Sequence, residues 1–179
     1  MKRYVALLRG INISGKNKIL MADLKKEFEK LGFEEVKTYL NSGNIIFSTA
    51  INDIKNITKE IATMIKKIFT LEIPVLVVLQ EKLIDIVNNA PKWWGGKDKT
   101  IYDNLIFILP PATFDEVYYE MGNPKDGLER IFNYQDAIFW SFVRKDYQKT
   151  NWWSKTANSN ISHQLTIRTA NTIKKIIKM

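Results

Sequence analysis

The feature that most constrains this chain is the order in which its hydrophobic periods change. Residues 4–9 form a short aliphatic run with strand character, followed by a polar loop that carries glycine. Leu24, Phe28 and Leu31 then recur at helical spacing, and Gly32 stands where a helix end takes a left-handed residue. Residues 36–40 and 45–49 read as strands, and Asn41-Ser42-Gly43-Asn44 between them has hairpin-turn chemistry. Ile54, Ile57, Ile61, Ile65 and Ile68 stripe a helix that starts near Asn52 or Asp53, and residues 75–79, after Pro74, read as a buried strand. The order is strand, helix, two strands, helix, strand, which is the ferredoxin-like split unit.

The pattern then begins again. A helix bearing Leu83, Val87 and Ala90 leads into the connection Pro91-Lys92-Trp93-Trp94-Gly95-Gly96 and a strand over residues 104–109. Thr113 with Glu116 spells a capping box for a helix carrying Phe114, Val117, Tyr118 and Met121. Residues 128–134 and 137–143 form a second hairpin, a weakly marked helix follows Trp152, and residues 165–168 are a short strand. Ile173, Ile176 and Ile177 stripe a last helix. The expected fold class is therefore α+β, with two ferredoxin-like (βαββαβ) halves and mainly antiparallel sheets. Residues 1–80 form the N-terminal half and 81–179 the C-terminal half of one compact two-subdomain unit.

Composition removes several function classes. At 179 residues and 45% hydrophobic, with 8 Gly and 5 Pro, the chain can bury a core and is neither disordered nor fibrous. It has no cysteine, which excludes disulfides, thiolate nucleophiles and Cys-ligated metal centres. His163 is the single histidine, with no second one to build a metal cluster, so neither metal nor cofactor is expected. The apolar stretch before Arg9 is too short for a signal peptide, and no run reaches the roughly 18 apolar residues of a membrane span. The expectation is a cytoplasmic protein with no membrane partner; the sequence does not specify an oligomeric state.

The net charge of +8 is unevenly placed. Residues 1–22 hold five basic side chains and no acid, residues 144–179 hold eight and only Asp146, and the segment between them is net acidic. A lysine bias of the genome would not leave the middle acidic, so the two terminal segments carry the signal for an anionic partner.

Within the first segment, residues 10–16 spell G-x-x-x-x-G-K after a strand, the spacing of a phosphate loop. Asn17 stands where the magnesium-binding Ser or Thr belongs, no later strand ends in the required acid, and the antiparallel order is the wrong sheet. What survives is a basic glycine loop ahead of a helix start, a plausible anion site by backbone amides and dipole. In the second segment, a strand ending in Arg168 that enters a helix through Thr169 offers a guanidinium beside free amides.

The runs Tyr4-Val5-Ala6-Leu7-Leu8-Arg9-Gly10-Ile11-Asn12, Gly15-Lys16-Asn17-Lys18 and Tyr39-Leu40-Asn41-Ser42-Gly43-Asn44 closely resemble the bacterial family known as domain of unknown function 1697. The resemblance runs on through the Pro-Trp-Trp-Gly segment to Thr166-Ile167-Arg168 and Asn171-Thr172. It implies a small bacterial α+β protein and no particular reaction. The family usually has Pro where Leu20 stands and Asn-Trp where Thr169-Ala170 stand.

No catalytic constellation is recognisable. Adjacent Ser154 and Lys155 face different sides of a helix, and the acids form no assignable acid–base pair. Trp93, Trp94, Trp140, Trp152 and Trp153 could stack a ligand, though tryptophans more often pack, here between the two halves. The leading expectation is a module that binds a nucleotide, a phosphorylated metabolite or nucleic acid. Arg9, Lys16, Lys18, Lys155 and Arg168 supply charge, and Asn12, Ser42 and Asn44 position the ligand. The alternatives are an enzyme acting on a small phosphorylated substrate and a protein-interaction or structural module.

Overall fold

The computed structural model describes residues 1–179. The chain forms two compact units, Met1–Ile84 with Lys175–Met179, and Asp85–Lys174. Each is an α+β layer built on a four-stranded antiparallel sheet.

The first unit runs β1 (Lys2–Leu8), α1 (Met21–Lys30), β2 (Glu34–Tyr39), β3 (Asn44–Thr49), α2 (Ile54–Phe69) and β4 (Val75–Leu79), with α3 (Gln80–Asn88) starting directly after β4. The sheet order is β2-β3-β1-β4, the ferredoxin-like arrangement. Alternation along β1 puts Tyr4, Ala6 and Leu8 into the core with Leu24 and Phe28 of α1 and Ile57, Ile61 and Ile65 of α2. Phe33 stacks on Phe47 at 4.6 Å between ring centroids, and Phe28 meets Phe47 edge-on. Burial of each such side chain contributes about 1.5–3 kcal/mol. The start of α2 is fixed locally, because the Asp53 carboxylate accepts from the amides of Lys55 and Asn56. The chain end returns to this unit. The Gln80 amide donates to the carbonyls of Ile176 and Ile177, and Arg3 donates to that of Met179 at 2.8 Å.

The second unit runs β5 (Ile101–Ile108), α4 (Phe114–Met121), β6 (Glu129–Tyr134), β7 (Ala137–Val143), α5 (Trp152–Asn158), β8 (Leu165–Thr169) and α6 (Ala170–Ile176), whose last residues pass into the first unit. Its sheet order β6-β7-β5-β8 repeats the first. Ile106, Ile138, Trp140 and Phe142 pack against Val117 and Met121 of α4 and Trp152 of α5. The Thr113–Glu116 capping box forms in both directions. β5 begins at Ile101, not at Asn104 as the sequence reading has it, because Ile101 to Asp103 pair with Val143 to Ser141. A 3-10 helix at Arg144–Lys149 is also new; its polar sequence has no apolar period to announce it. Glu129 organises this unit. Buried at the start of β6, its carboxylate accepts from the amides of Lys125, Asn151 and Trp152 and from the Trp140 indole.

Candidate functional site

The loop between β1 and α1 is a folded object. Asn12 donates its amide N–H to the Asn17 carbonyl and Lys16 donates to Ile13, closing a small hairpin with a bridge between Ile13 and Lys16. Gly10, Asn12, Ser14, Gly15 and Asn17 all take positive φ, which glycine and asparagine adopt most readily. Asn12 is the clamp: its side-chain nitrogen donates to the carbonyls of Ile19 and Asn41, each at 2.9 Å, and its oxygen accepts from the Ile19 amide. One side chain thereby fastens the loop to the start of α1 and to the β2–β3 turn. Gly43 closes the same corner. Its carbonyl accepts from the Leu8 amide at 2.8 Å, its φ is +78°, and a Cβ there would lie 2.7 Å from the Leu8 Cβ.

Ser42 and Asn44 belong to that turn. Buried Asn44 donates to the Tyr39 carbonyl and to the Ser42 hydroxyl, so both shape the hairpin. Arg9 is half-buried, with its amide donating to the Pro74 carbonyl. Lys16 and Lys18 stand exposed at the loop tip, and neither has an acidic partner. Asn12, Gly15, Lys18, Ile19, Leu20, Met21 and Asn41 line a pocket of about 480 Å³. Leu20 occupies the N-cap of α1, where its side chain caps nothing. Ile19, Leu20, Met21 and Asn41 were not among the expected site residues; an apolar residue at a helix N-cap is the one local signal that could have marked them.

Lys155 and Arg168 lie in the second unit. The Lys155 ammonium donates to the Met121 carbonyl at 2.8 Å, covering the C-terminal end of α4. Arg168 is only 8% exposed, and its guanidinium donates to the Thr166 hydroxyl and the Ile167 carbonyl on its own strand. Desolvation lowers its pKa to about 10. Thr169 caps α6 by accepting from the Thr172 amide. His163 is exposed on a 3-10 turn, and no cluster of His, Asp or Glu could hold a metal ion.

The tryptophans differ from one another. Trp94, Trp140 and Trp152 are buried and donate their indole N–H groups to the Asn104 carbonyl, Glu129 and the Gly122 carbonyl respectively. Trp153 is 40% exposed and packs edge-on against Tyr147 and Phe142. Trp93 is half-buried and has no ring partner.

No helix is long and apolar enough to cross a membrane. No curated protein matches the chain. A solved structure of a conserved bacterial protein from Streptococcus pneumoniae is 29% identical, aligns over 99% of this chain and 97% of that one, and superposes with a TM-score of 0.86. The family described as "Protein of unknown function (DUF1697)" matches residues 1–139, which include the clamped loop, the whole first sheet and the second unit as far as the start of β7. The chain belongs to this family, DUF1697.

Proposed function

We propose that the first unit binds a small phosphate-bearing anion at the loop of residues 10–18. One observation carries this reading: a single pocket joins Lys18, the start of α1 and the turn residue Asn41, all fastened together by Asn12. Lys16 and Lys18 bring positive charge with no intramolecular acid against it, and the first acid in the chain, Asp23, lies beyond the loop. The helix dipole of α1 adds to the same field. Leu20, which lines the pocket beside Met21, is 72% exposed. This aliphatic side of the lining suits a ligand with an apolar ring beside its phosphate, which favours nucleotides over bare phosphate. The lining offers amides, one ammonium and aliphatic groups but no general acid or base, which favours binding over chemistry.

The test is a thermal-shift titration at low salt with inorganic phosphate, mono- and dinucleotides and a short oligonucleotide. A ligand at 100 times its Kd stabilises the protein by about 2.7 kcal/mol. The double variant Lys16→Ala/Lys18→Ala is expected to abolish the shift while leaving the unliganded Tm unchanged. Absence of any shift across the series refutes the reading. A steep salt dependence confined to the oligonucleotide would replace it with nucleic-acid binding.

A further inference from the structure

The second unit contains a different cavity, of about 400 Å³, whose lining includes Trp93, Asp98, Asp126, Glu129, Arg130 and Ser141. Four of the five tryptophans are accounted for by packing or by an indole hydrogen bond. Trp93 is half-buried but makes no ring contact and no indole hydrogen bond, although a buried indole N–H ordinarily finds a partner. Arg130 on β6 lies opposite Ser141 on β7, which lies opposite Asp103 on β5, so the three side chains stand on one face of the sheet. The Ser141 hydroxyl donates to the Asp103 carboxylate, while the exposed Arg130 guanidinium makes no ion pair. Asp98 holds the amide and hydroxyl of Thr100 with one oxygen, and Asp126 holds the Gly127 amide with one oxygen. Each keeps a second carboxylate oxygen for another donor. The Thr100 bonds also hold the Asp98 carboxyl below the usual carboxylate range, so it is charged at neutral pH.

We infer that this cavity binds a small zwitterion of the α-amino-acid class, with the ligand carboxylate on Arg130, its ammonium between Asp98 and Asp126, and its side group against the Trp93 ring. The Glu129 carboxylate is already held by four internal donors, so a simple anion would meet the open oxygens of Asp98 and Asp126, and a simple cation would meet the guanidinium. Only a ligand with both charges is complementary to the whole lining. The cavity volume falls within the range of small-molecule sites. The inference stands apart from the anion site in the first unit, with which it shares no residue.

The experiment is calorimetric titration of the full chain with the common L-amino acids, with acetate and methylammonium as single-charge controls. At least one amino acid is expected to bind saturably. Arg130→Gln should weaken that binding about tenfold or more, as loss of a charge-assisted pair predicts. Trp93→Phe, which preserves apolar volume, should weaken it less than Trp93→Ala, with circular dichroism verifying that each variant is folded. Lys16→Ala/Lys18→Ala should leave the affinity unchanged. The inference is overturned if no amino acid binds saturably, if acetate or methylammonium binds as tightly, or if Arg130→Gln binds like the unaltered protein.

Discussion

The two basic segments of this chain carry similar charge and use much of it differently. In residues 144–179 five of the eight cations, Arg144, Lys149, Lys155, Arg168 and Lys174, are engaged internally. The Arg144 guanidinium lies 4.8 Å from the Tyr102 ring centroid, Lys149 pairs with Asp146 at 2.7 Å, Lys155 covers the end of α4, and Lys174 donates to the Gly95 carbonyl. In residues 1–22 Arg3 is tied down, to Glu35, Ser48 and the Met179 carbonyl, while Lys16 and Lys18 remain at the tip of a clamped loop. The difference teaches that a count of charges measures the field around a segment and not which cations are available. A helix carbonyl end or an aromatic face consumes a cation as effectively as a carboxylate does.

The comparison rests most heavily on the corner that holds the first loop in place. Gly43→Ala combines a left-handed φ with a Cβ driven into Leu8, and is expected to cost about 2–4 kcal/mol in denaturant unfolding. It should also lower any anion response at temperatures where the protein remains folded. Unchanged stability would show that the turn can shift without penalty and that the loop is not anchored there.

A smaller effect separates the two kinds of cation directly. Lys155→Ala should lower stability by about 0.5–1.5 kcal/mol, because the Met121 carbonyl loses its donor, and should leave anion binding untouched. The loop lysines are expected to do the reverse. If Lys155→Ala reduced anion affinity at unchanged stability, the contrast between the segments would collapse.

The smallest effect is a pH dependence. The hydrogen bond from Lys149 holds the Asp146 carboxyl below its usual range. Its contribution to stability is therefore complete above the unfolded carboxylate value of about 3.9 and is lost as pH falls through the lower folded value. Lys149→Met should flatten the acid limb of a Tm-against-pH profile slightly, and Lys16→Met should leave that limb as it was. Equal flattening by both would mean that Lys16 also has an internal partner.

Local chemistry made much of the fold legible. Asp53 as a helix cap, Thr113 with Glu116 as a capping box and the 41–44 turn are decided by neighbouring residues, and each stands where its sequence places it. The three extra residues of β5 were not readable, because Ile101 to Asp103 become strand only through pairing with residues about 40 positions away. The candidate site divides in the same way. Lys16 and Lys18 are marked by their loop, whereas Asn12 reads locally as a ligand contact. Its amide is in fact committed to Ile19 and to Asn41, 29 positions along the chain.

By itself, then, the sequence determined the succession of strands and helices, the two ferredoxin-like sheets, the absence of thiol chemistry and the placing of charge at both ends of the chain. Periodicity, caps and turns act over a few residues, and composition needs no geometry at all. Only the tertiary structure decided which cations stayed available, which tryptophan was left without a partner, and that Leu20, Met21 and Asn41 share a pocket with Lys18. Those outcomes depend on which groups from distant segments meet, and a buried or half-buried polar group takes whatever partner the packing brings within reach.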